Sequence, residues 1–338
     1  CDFNEVHFSP VIILIFILGS VLCYLGCIIH KVRYMADIFS ALIPIFALII
    51  LGRLIKYLNI ISSRSWEAIE NLVYWVLLPS LLIVKLGTAK LDDFDFLPMG
   101  VSLALATICT ILILSVIRRS FKIKQNSYTS VLQGGIRQNS YIGLAAAGPL
   151  YGAGGEALAA VGILAVIPLV NVISVISLLH IKKSKELKVL TAAKQLIKSP
   201  IIIACMLGII FNASGFGVPF YIAETLDLLG KGALPLGLLA VGAGLSFGVL
   251  ARSPFLLLIS NFFKLIFMPV LTAWFCGWFQ IDTITTGIAI LFAALPTSAS
   301  SYVMARQFGG DHELMAAILT SQVLMGFITI PLILFIFV

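Results

Sequence analysis

Polar side chains interrupt an apolar segment at residues 128–150. The interruption contains Arg137, Asn139 and Ser140, and it follows two adjacent glycines. Within an apolar medium such groups persist only where protein, water or a bound solute satisfies them. A guanidinium pairs with carboxylates, and amide and hydroxyl groups hydrogen-bond to them. These three residues are therefore candidates for binding a small organic anion, and the alternative for Arg137 is that its side chain simply reaches the membrane interface.

A second interruption lies in an apolar segment at residues 283–305. It places Pro296, Thr297 and Ser298 in the middle of that segment, and Pro296 stands 157 positions after Asn139 (296 − 139). Proline removes a backbone donor and clashes with the preceding turn, so a helix opens there. Two facing half-helices would present partial positive charge to an anion. The alternative is an ordinary proline kink, with hydroxyl groups bonded back to their own helix.

Lys264 is a further candidate, because it lies inside an apolar segment at residues 254–278. It stands roughly two helical turns from either end, too deep to reach the interface easily. An ionisable residue at that depth is a functional candidate by default. The alternative is an ion pair with a structural acid. Glu224 and Asp227 are the acids considered for that pair, although interfacial positions suit both better.

The composition identifies a membrane protein. Of the 338 residues, 60% are hydrophobic and 11% are charged, and the mean hydropathy is +1.11. A soluble domain of this length would expose far too much apolar surface. The net charge of +7 lies mostly in short loops, so it does not indicate nucleic-acid binding. Neither metal-ligand spacings nor motifs of enzymes occur, and we expect no metal, no cofactor and no catalysis.

The apolar segments and the loop charges predict a topology. Spans need about 20 apolar residues, and the basic loops fall on one side and the acidic loops on the other. By the positive-inside rule the basic loops are cytoplasmic, and both ends of the ten-span core lie on the outer side of the cell membrane. The ten predicted spans are 38–56, 66–86, 97–117, 128–150, 156–179, 198–213, 219–248, 254–278, 283–305 and 313–337.

The two halves of the chain repeat each other. Pro44 and Gly52 recur as Pro200 and Gly208, at an offset of 156 in both cases (200 − 44 and 208 − 52). Five spans per half is an odd number, so the second copy enters the bilayer from the opposite side. Inverted repeats of this kind are typical of secondary transporters. The predicted units are a first repeat at 35–179, a basic cytoplasmic linker at 180–197 and a second repeat at 198–338.

Residues 1–34 fit this pattern poorly. An apolar stretch at 11–29 could be an eleventh helix, but its acidic end would then face the cytoplasm, against the charge rule. The chain starts with Cys1, and Met35 stands just before the repeat begins. We predict an N-terminal extension or processed leader, with Met35 as the natural start, and an extra helix is the alternative.

Four stretches between residues 35 and 338 resemble motifs of one protein family. They are Leu42-Ile-Pro44 through Gly52, Val76-Leu-Leu-Pro79-Ser-Leu-Leu, Arg137-x-Asn139-x-x-x-Gly143, and Leu295-Pro296-Thr297 followed by Ala305-Arg306-Gln307-Phe308-Gly309-Gly310-Asp311. Together they resemble the auxin efflux carrier family, which includes the plant PIN-formed auxin carriers and bacterial permeases. The short basic linker is similar to that of the bacterial members.

This resemblance implies an all-α polytopic membrane protein with ten transmembrane helices in two inverted five-helix repeats. Spans 1, 2, 6 and 7 would form a scaffold, and spans 3–5 and 8–10 would form a transport domain. Helices 4 and 9 would be broken and would cross, with Asn139, Pro296 and Thr297 at the crossing. The transport domain would move like an elevator, in a homodimer.

The sequence therefore predicts a secondary active transporter for a small organic anion such as a carboxylate. Arg137, Lys264 and the half-helix ends would supply positive potential. Hydrogen bonds to the carboxylate would come from Asn139, Ser140, Thr297 and Ser298. No acid is placed well enough to be named as the site of a coupling proton or sodium ion. The alternative function is a membrane-embedded sensor that binds an anion without moving it.

Overall fold

The computed structural model describes residues 10–89, 94–179, 181, 198–250 and 253–338, with side chains from residue 33 onward except at residue 179. All regular structure in these ranges is helical. The helices are α1 (Pro10–Tyr57), α2 (Ser63–Leu72), α3 (Leu78–Gly87), α4 (Phe96–Ser120), α5 (Gln125–Ile136), α6 (Ser140–Leu179), α7 (Pro200–Ala213), α8 (Phe220–Gly230), α9 (Ala233–Ala243), α10 (Pro254–Phe262), α11 (Met268–Trp278), α12 (Thr283–Ala294), α13 (Ser300–Phe308) and α14 (His312–Phe337). Single π-helical turns, Val73–Leu77 and Phe263–Phe267, join α2 to α3 and α10 to α11.

The helices identify a polytopic membrane protein. Their outward faces carry strongly exposed apolar side chains, such as Leu112, Val116 and Leu258, as a surface facing lipid does. Pro200–Ala213 and Thr283–Ala294 are apolar but shorter than a typical span. Within the part of the chain that the structure describes, seven helical stretches are long and apolar enough to cross a membrane, namely Arg33–Tyr57, Ser63–Gly87, Phe96–Ser120, Gln125–Leu178, Phe220–Ala243, Pro254–Trp278 and His312–Phe337.

The stretch from Gln125 to Leu178 contains two interruptions. Helix α5 ends at Ile136 and α6 begins at Ser140, which leaves three residues outside the helices. Within α6, Gly152 has φ 69° and ψ −162°, a conformation that glycine adopts without steric cost. The interruption of α6 is therefore confined to a single residue, with helix on both sides of it.

Polar side chains cap the N-termini of α2, α12 and α14. Ser62 Oγ accepts a hydrogen bond from the Ser65 N–H (3.1 Å) at the start of α2. Asp282 Oδ1 accepts one from the Thr285 N–H (2.9 Å) at the start of α12. Asp311 does the same for the Leu314 N–H (3.1 Å) at α14. Each cap satisfies one of the backbone donors that a helix start leaves free.

The helices pack in two groups. In the first group, α1 packs against α9, and α3 packs against α7 and α8. Gly52 and Gly242 allow this, because a Cβ on either residue would collide with the backbone oxygen of the facing helix, Leu239 O or Ile49 O. In the second group, α4, α6, α11 and α12 pack together, and α14 lies against α10 and α12.

The two groups meet along α1, which contacts α6 and α14, and along α9, which contacts α6. An ion pair between Lys85 Nζ on α3 and Glu156 Oε2 on α6 also joins them, and both side chains are about a third exposed.

Some predicted segments lie outside the described residues, among them most of the basic linker at 180–197 and the acidic residues Asp92 and Asp93. Helix α1 begins at Pro10, and its side chains are described from Arg33. The predictions for residues 1–34, including the choice between a leader and an eleventh helix, stay predictions.

Candidate substrate-binding site

The first break, between α5 and α6, is built by polar residues. Arg137 has an extended backbone (φ −81°, ψ 144°) that ends α5. Two residues later the chain turns back into a helix, because Asn139 Oδ1 accepts hydrogen bonds from the N–H groups of Tyr141 (3.2 Å) and Ile142 (3.4 Å). Asn139 thus caps α6 with its side chain. Ser140, a predicted site residue, is the first residue of α6 and is half-buried.

The second break, between α12 and α13, is built by proline. Leu295 is extended (φ −61°, ψ 141°), as steric contact with a following proline requires. Helix resumes at Ser300 without a side-chain cap. Thr297 is fully buried and Ser298 is half-buried. The helix therefore opens at the position that the sequence indicated.

The two breaks contact each other. The Asn139 backbone N–H donates a hydrogen bond to Pro296 O (2.8 Å). The Thr297 hydroxyl donates to Gln133 O (3.4 Å), near the end of α5. Asn139 and Thr297 are both inaccessible to solvent. Three predicted site residues, Asn139, Pro296 and Thr297, thus lie where the two breaks contact each other. This contact between the two interrupted segments is called the crossing below.

Arg137 lies beside this crossing and is only 8% exposed. Its Nη2 donates to Ser300 Oγ (3.0 Å), and its Nη1 lies 3.2 Å from Met304 Sδ. Ser300 Oγ is in turn 3.0 Å from Ser298 Oγ. Among the described residues no carboxylate lies within ion-pair distance of the guanidinium. The structure thus joins Arg137 to Ser298 through one hydroxyl, and the charge has neutral partners.

Several buried polar atoms around the crossing have no hydrogen-bond partner. They are Arg137 Nε, Asn139 Nδ2 and both side-chain amide atoms of Gln133 and Gln138. Buried polar groups in proteins are nearly always hydrogen-bonded to protein or water. A cluster of unsatisfied donors beside a buried cation fits a site that is completed by a polar, negatively charged solute.

Lys264 is placed differently from the other predicted site residues. It sits in the π-helical turn Phe263–Phe267, which packs against α5, α12 and α14. The side chain is fully buried, and Nζ lies 3.6 Å from Met268 Sδ. Within the described ranges no carboxylate pairs with it, and Asp227 on α8 pairs instead with Lys231, the residue that follows α8 (2.8 Å). The structure shows no hydrogen bond between Lys264 and another predicted site residue.

Sequence reasoning missed Gln322, which is fully buried on α14. Gln322 Oε1 accepts a hydrogen bond from the Thr297 N–H (2.9 Å), and Nε2 donates to Gly134 O (3.0 Å). Its side chain therefore touches both breaks. The available signal was the adjacent pair Ser321 and Gln322 inside an apolar segment, since polar residues at that depth face the interior of a bundle.

The comparison with known proteins agrees with this architecture. The model of a family described as "Membrane transport protein" matches residues 37–193 and 187–334. The protein is therefore a membrane transport protein. The chain belongs to this family, which is the family of the auxin efflux carriers.

Two curated relatives align over most of the chain. One is called "Uncharacterized transporter", from Methanocaldococcus jannaschii, and is 21% identical over 280 residues, which cover 81% of this chain and 90% of the relative. The other is called "Putative malonate transporter", from Rhizobium meliloti, and is 24% identical over 308 residues, which cover 88% and 94%. These are proteins that the chain resembles at low identity.

Proposed function

We propose that this protein is a secondary active transporter that moves a small organic anion, and that the anion binds where the two interrupted segments cross. The observation that carries the proposal is the buried guanidinium of Arg137, whose described partners Ser300 and Met304 are uncharged. A buried charge without a counter-charge costs several kcal/mol in effective terms. A carboxylate at the guanidinium would remove that cost while the anion is bound.

The chemistry of the site favours a carboxylate. A guanidinium binds a carboxylate through two parallel hydrogen bonds, and Asn139 Nδ2 is a buried donor with no partner. Ser298 and Ser300 add hydroxyl groups on the side of α13. Lys264 would contribute positive potential from within the bundle rather than a direct contact. Malonate is the first substrate to test, because a relative carries that name.

Ten spans in two inverted repeats account for the packing of equivalent glycines. Gly52, in the first predicted span, packs against α9 at Leu239, and the equivalent Gly208 packs against α3, where its Cβ would lie 2.8 Å from Leu86 Cβ. Each thus meets the other repeat, and the contacts exchange as a two-fold relation between repeats requires. On this proposal the short α7 and α12 with α13 are spans as well.

The two packing groups support an elevator motion. The first group, α1 to α3 with α7 to α9, would be the scaffold. The second group, which contains both breaks, would carry the anion across the bilayer. We further propose that the scaffold holds a homodimer together, that the protein lies in the cell membrane and that its basic loops face the cytoplasm.

The membrane potential bears on the direction of transport. Moving one negative charge out of a negative-inside cell is favoured by about 2.3 kcal/mol per 100 mV. Uncoupled efflux would therefore be favourable, whereas uptake would need a co-moving proton or cation. Among the described residues no carboxylate lies within ion-pair distance of Arg137 or Lys264, and we name no residue as the site of such an ion.

Counterflow of labelled malonate in proteoliposomes tests the proposal. Arg137→Gln should lower counterflow at least about a hundredfold, because the loss leaves a buried anion without its counter-charge. Arg306→Gln is the matched control, since Arg306 is exposed at the end of α13; its counterflow should equal that of the wild type. Equal counterflow in both variants would move the site away from Arg137. Malonate binding without counterflow in the wild type would favour the sensor.

A further inference from the structure

We propose that Gln322 is a positioning residue that fixes the two breaks relative to each other, so that the groups facing the anion stay in place. The inference rests on the proposed function and adds a residue on a third element. Gln322 lies on α14, an uninterrupted helix of 26 residues. The carboxamide projects between the end of α5 and the segment that follows Pro296.

The carboxamide matches what each break leaves unsatisfied. The last carbonyls of a helix have no partner within it, and in a bilayer there is no bulk water to satisfy them. Near the end of α5, Gln133 O accepts the Thr297 hydroxyl and Gly134 O accepts Gln322 Nε2 (3.0 Å). Beyond the proline, the Thr297 N–H is satisfied by Gln322 Oε1 (2.9 Å).

The network also fixes the orientation of this side chain. The amide oxygen must face an N–H and the amide nitrogen must face a carbonyl, so only one of the two amide orientations satisfies both breaks. Gln322 Nε2 additionally lies 3.3 Å from Ser260 O on α10. A single side chain therefore ties α5, the proline break and α10 to α14.

Gln322 acts through its neighbours, because its carboxamide is fully occupied by protein groups. Gly134 O, which it holds, belongs to the last turn of α5, three residues before Arg137. Thr297, which it also holds, follows Pro296, whose carbonyl accepts the Asn139 N–H. Freeing either group would let the guanidinium and the α6 cap shift relative to each other.

Ser321 offers a matched control one position away. Its hydroxyl is buried and exchanges hydrogen bonds with Asn261 on α10, with Asn261 Nδ2 at 3.1 Å from Ser321 Oγ. Ser321→Ala removes a buried hydrogen bond from the same helix at the same depth, away from the breaks. A purely structural role for Gln322 would make the two positions behave alike.

The test compares Gln322→Leu and Gln322→Met with Ser321→Ala in two measurements. In malonate counterflow, both Gln322 variants should raise KM by about tenfold or more, because each leaves a buried carbonyl without a donor, whereas Ser321→Ala should keep KM within about twofold of the wild type. In backbone amide hydrogen exchange, the Gln322 variants should lose protection in peptides covering both 137–142 and 296–301, and Ser321→Ala should not.

The two measurements separate the two hypotheses. Absence of counterflow in the wild type overturns the proposed function, yet the exchange pattern still reads the positioning role directly. Unchanged exchange at both breaks in Gln322→Met, or equal changes in Gln322→Met and Ser321→Ala, overturns the positioning role whatever the transport result. Gln322→Met keeps the length of the side chain but neither hydrogen bond, so it serves if the leucine variant does not fold.

Discussion

The two breaks meet at one crossing but open their helices by different chemistry. Between α5 and α6 polar residues open the helix, because Arg137 ends α5 and the Asn139 side chain caps α6. Between α12 and α13 the backbone of proline opens the helix, because Pro296 prevents α12 from continuing and no side chain caps α13. The charged group and the unsatisfied amides lie at the first break.

The difference suggests a division of roles under the proposed function. The first break supplies charge and hydrogen-bond donors that recognise the anion. The second supplies an open backbone, through Pro296 O and the Thr297 N–H, against which the first is held. Substitutions at the first break should therefore change whether an anion binds, and substitutions at the second should change how well the site is assembled.

The largest effect is expected for Asn139→Ala. The variant loses the cap of α6 and the buried amide donor together, so malonate counterflow should fall below detection. Loss of a cap alone costs about 1 kcal/mol of stability, and Ser62→Ala, which removes the side-chain cap of α2, should show that loss with normal counterflow. Detectable counterflow in Asn139→Ala, with folded protein confirmed by gel filtration, would contradict the role given to the first break.

An intermediate effect is expected at Pro296. Alanine restores an N–H and favours continuous helix, so Pro296→Ala should reduce the rate of counterflow about tenfold. Pro296→Gly keeps the backbone open and should retain more activity than the alanine variant. Pro331→Ala, inside α14, is the control for loss of a buried proline. The comparison between breaks fails if alanine and glycine at 296 give the same rate.

The smallest effect is expected at the ion pair between the two packing groups. Lys85 and Glu156 are partly exposed, and such pairs contribute about 0–1 kcal/mol. Glu156→Gln should therefore raise the turnover rate, by no more than about fivefold, and exchanging the two residues should return it to the wild-type value. Asp227→Asn, which breaks the pair with Lys231 at the C-terminal end of α8, should leave turnover unchanged. A rate unaffected by Glu156→Gln would show that this contact does not resist the motion.

The features predicted from sequence were those that leave a local mark. Proline in an apolar segment and a polar run at bilayer depth each change hydropathy and helix propensity within a few residues. For this reason the openings near Asn139 and Pro296 were visible without coordinates.

What the sequence could not supply was the identity of partners from distant segments. Arg137 meets Ser300 and Met304 across more than 160 positions, and nothing local specifies those contacts. Gln322 is a lone amide whose environment is decided by three other helices. The π-helical turn that contains Lys264 ends two residues before Pro269, but a proline alone does not specify a π-turn rather than a simple kink.

The interlocked glycines of α1 and α9 have a practical consequence. Any side chain at Gly52 or Gly242 would strike the opposite backbone, so the two helices can neither slide nor roll past each other without separating. Under the proposed function, spectroscopic labels at exposed positions of α1 and α9, away from these glycines, would keep a constant spacing through the transport cycle. The distance between these two labels would serve as an internal reference for measuring the displacement of a third label, on α6.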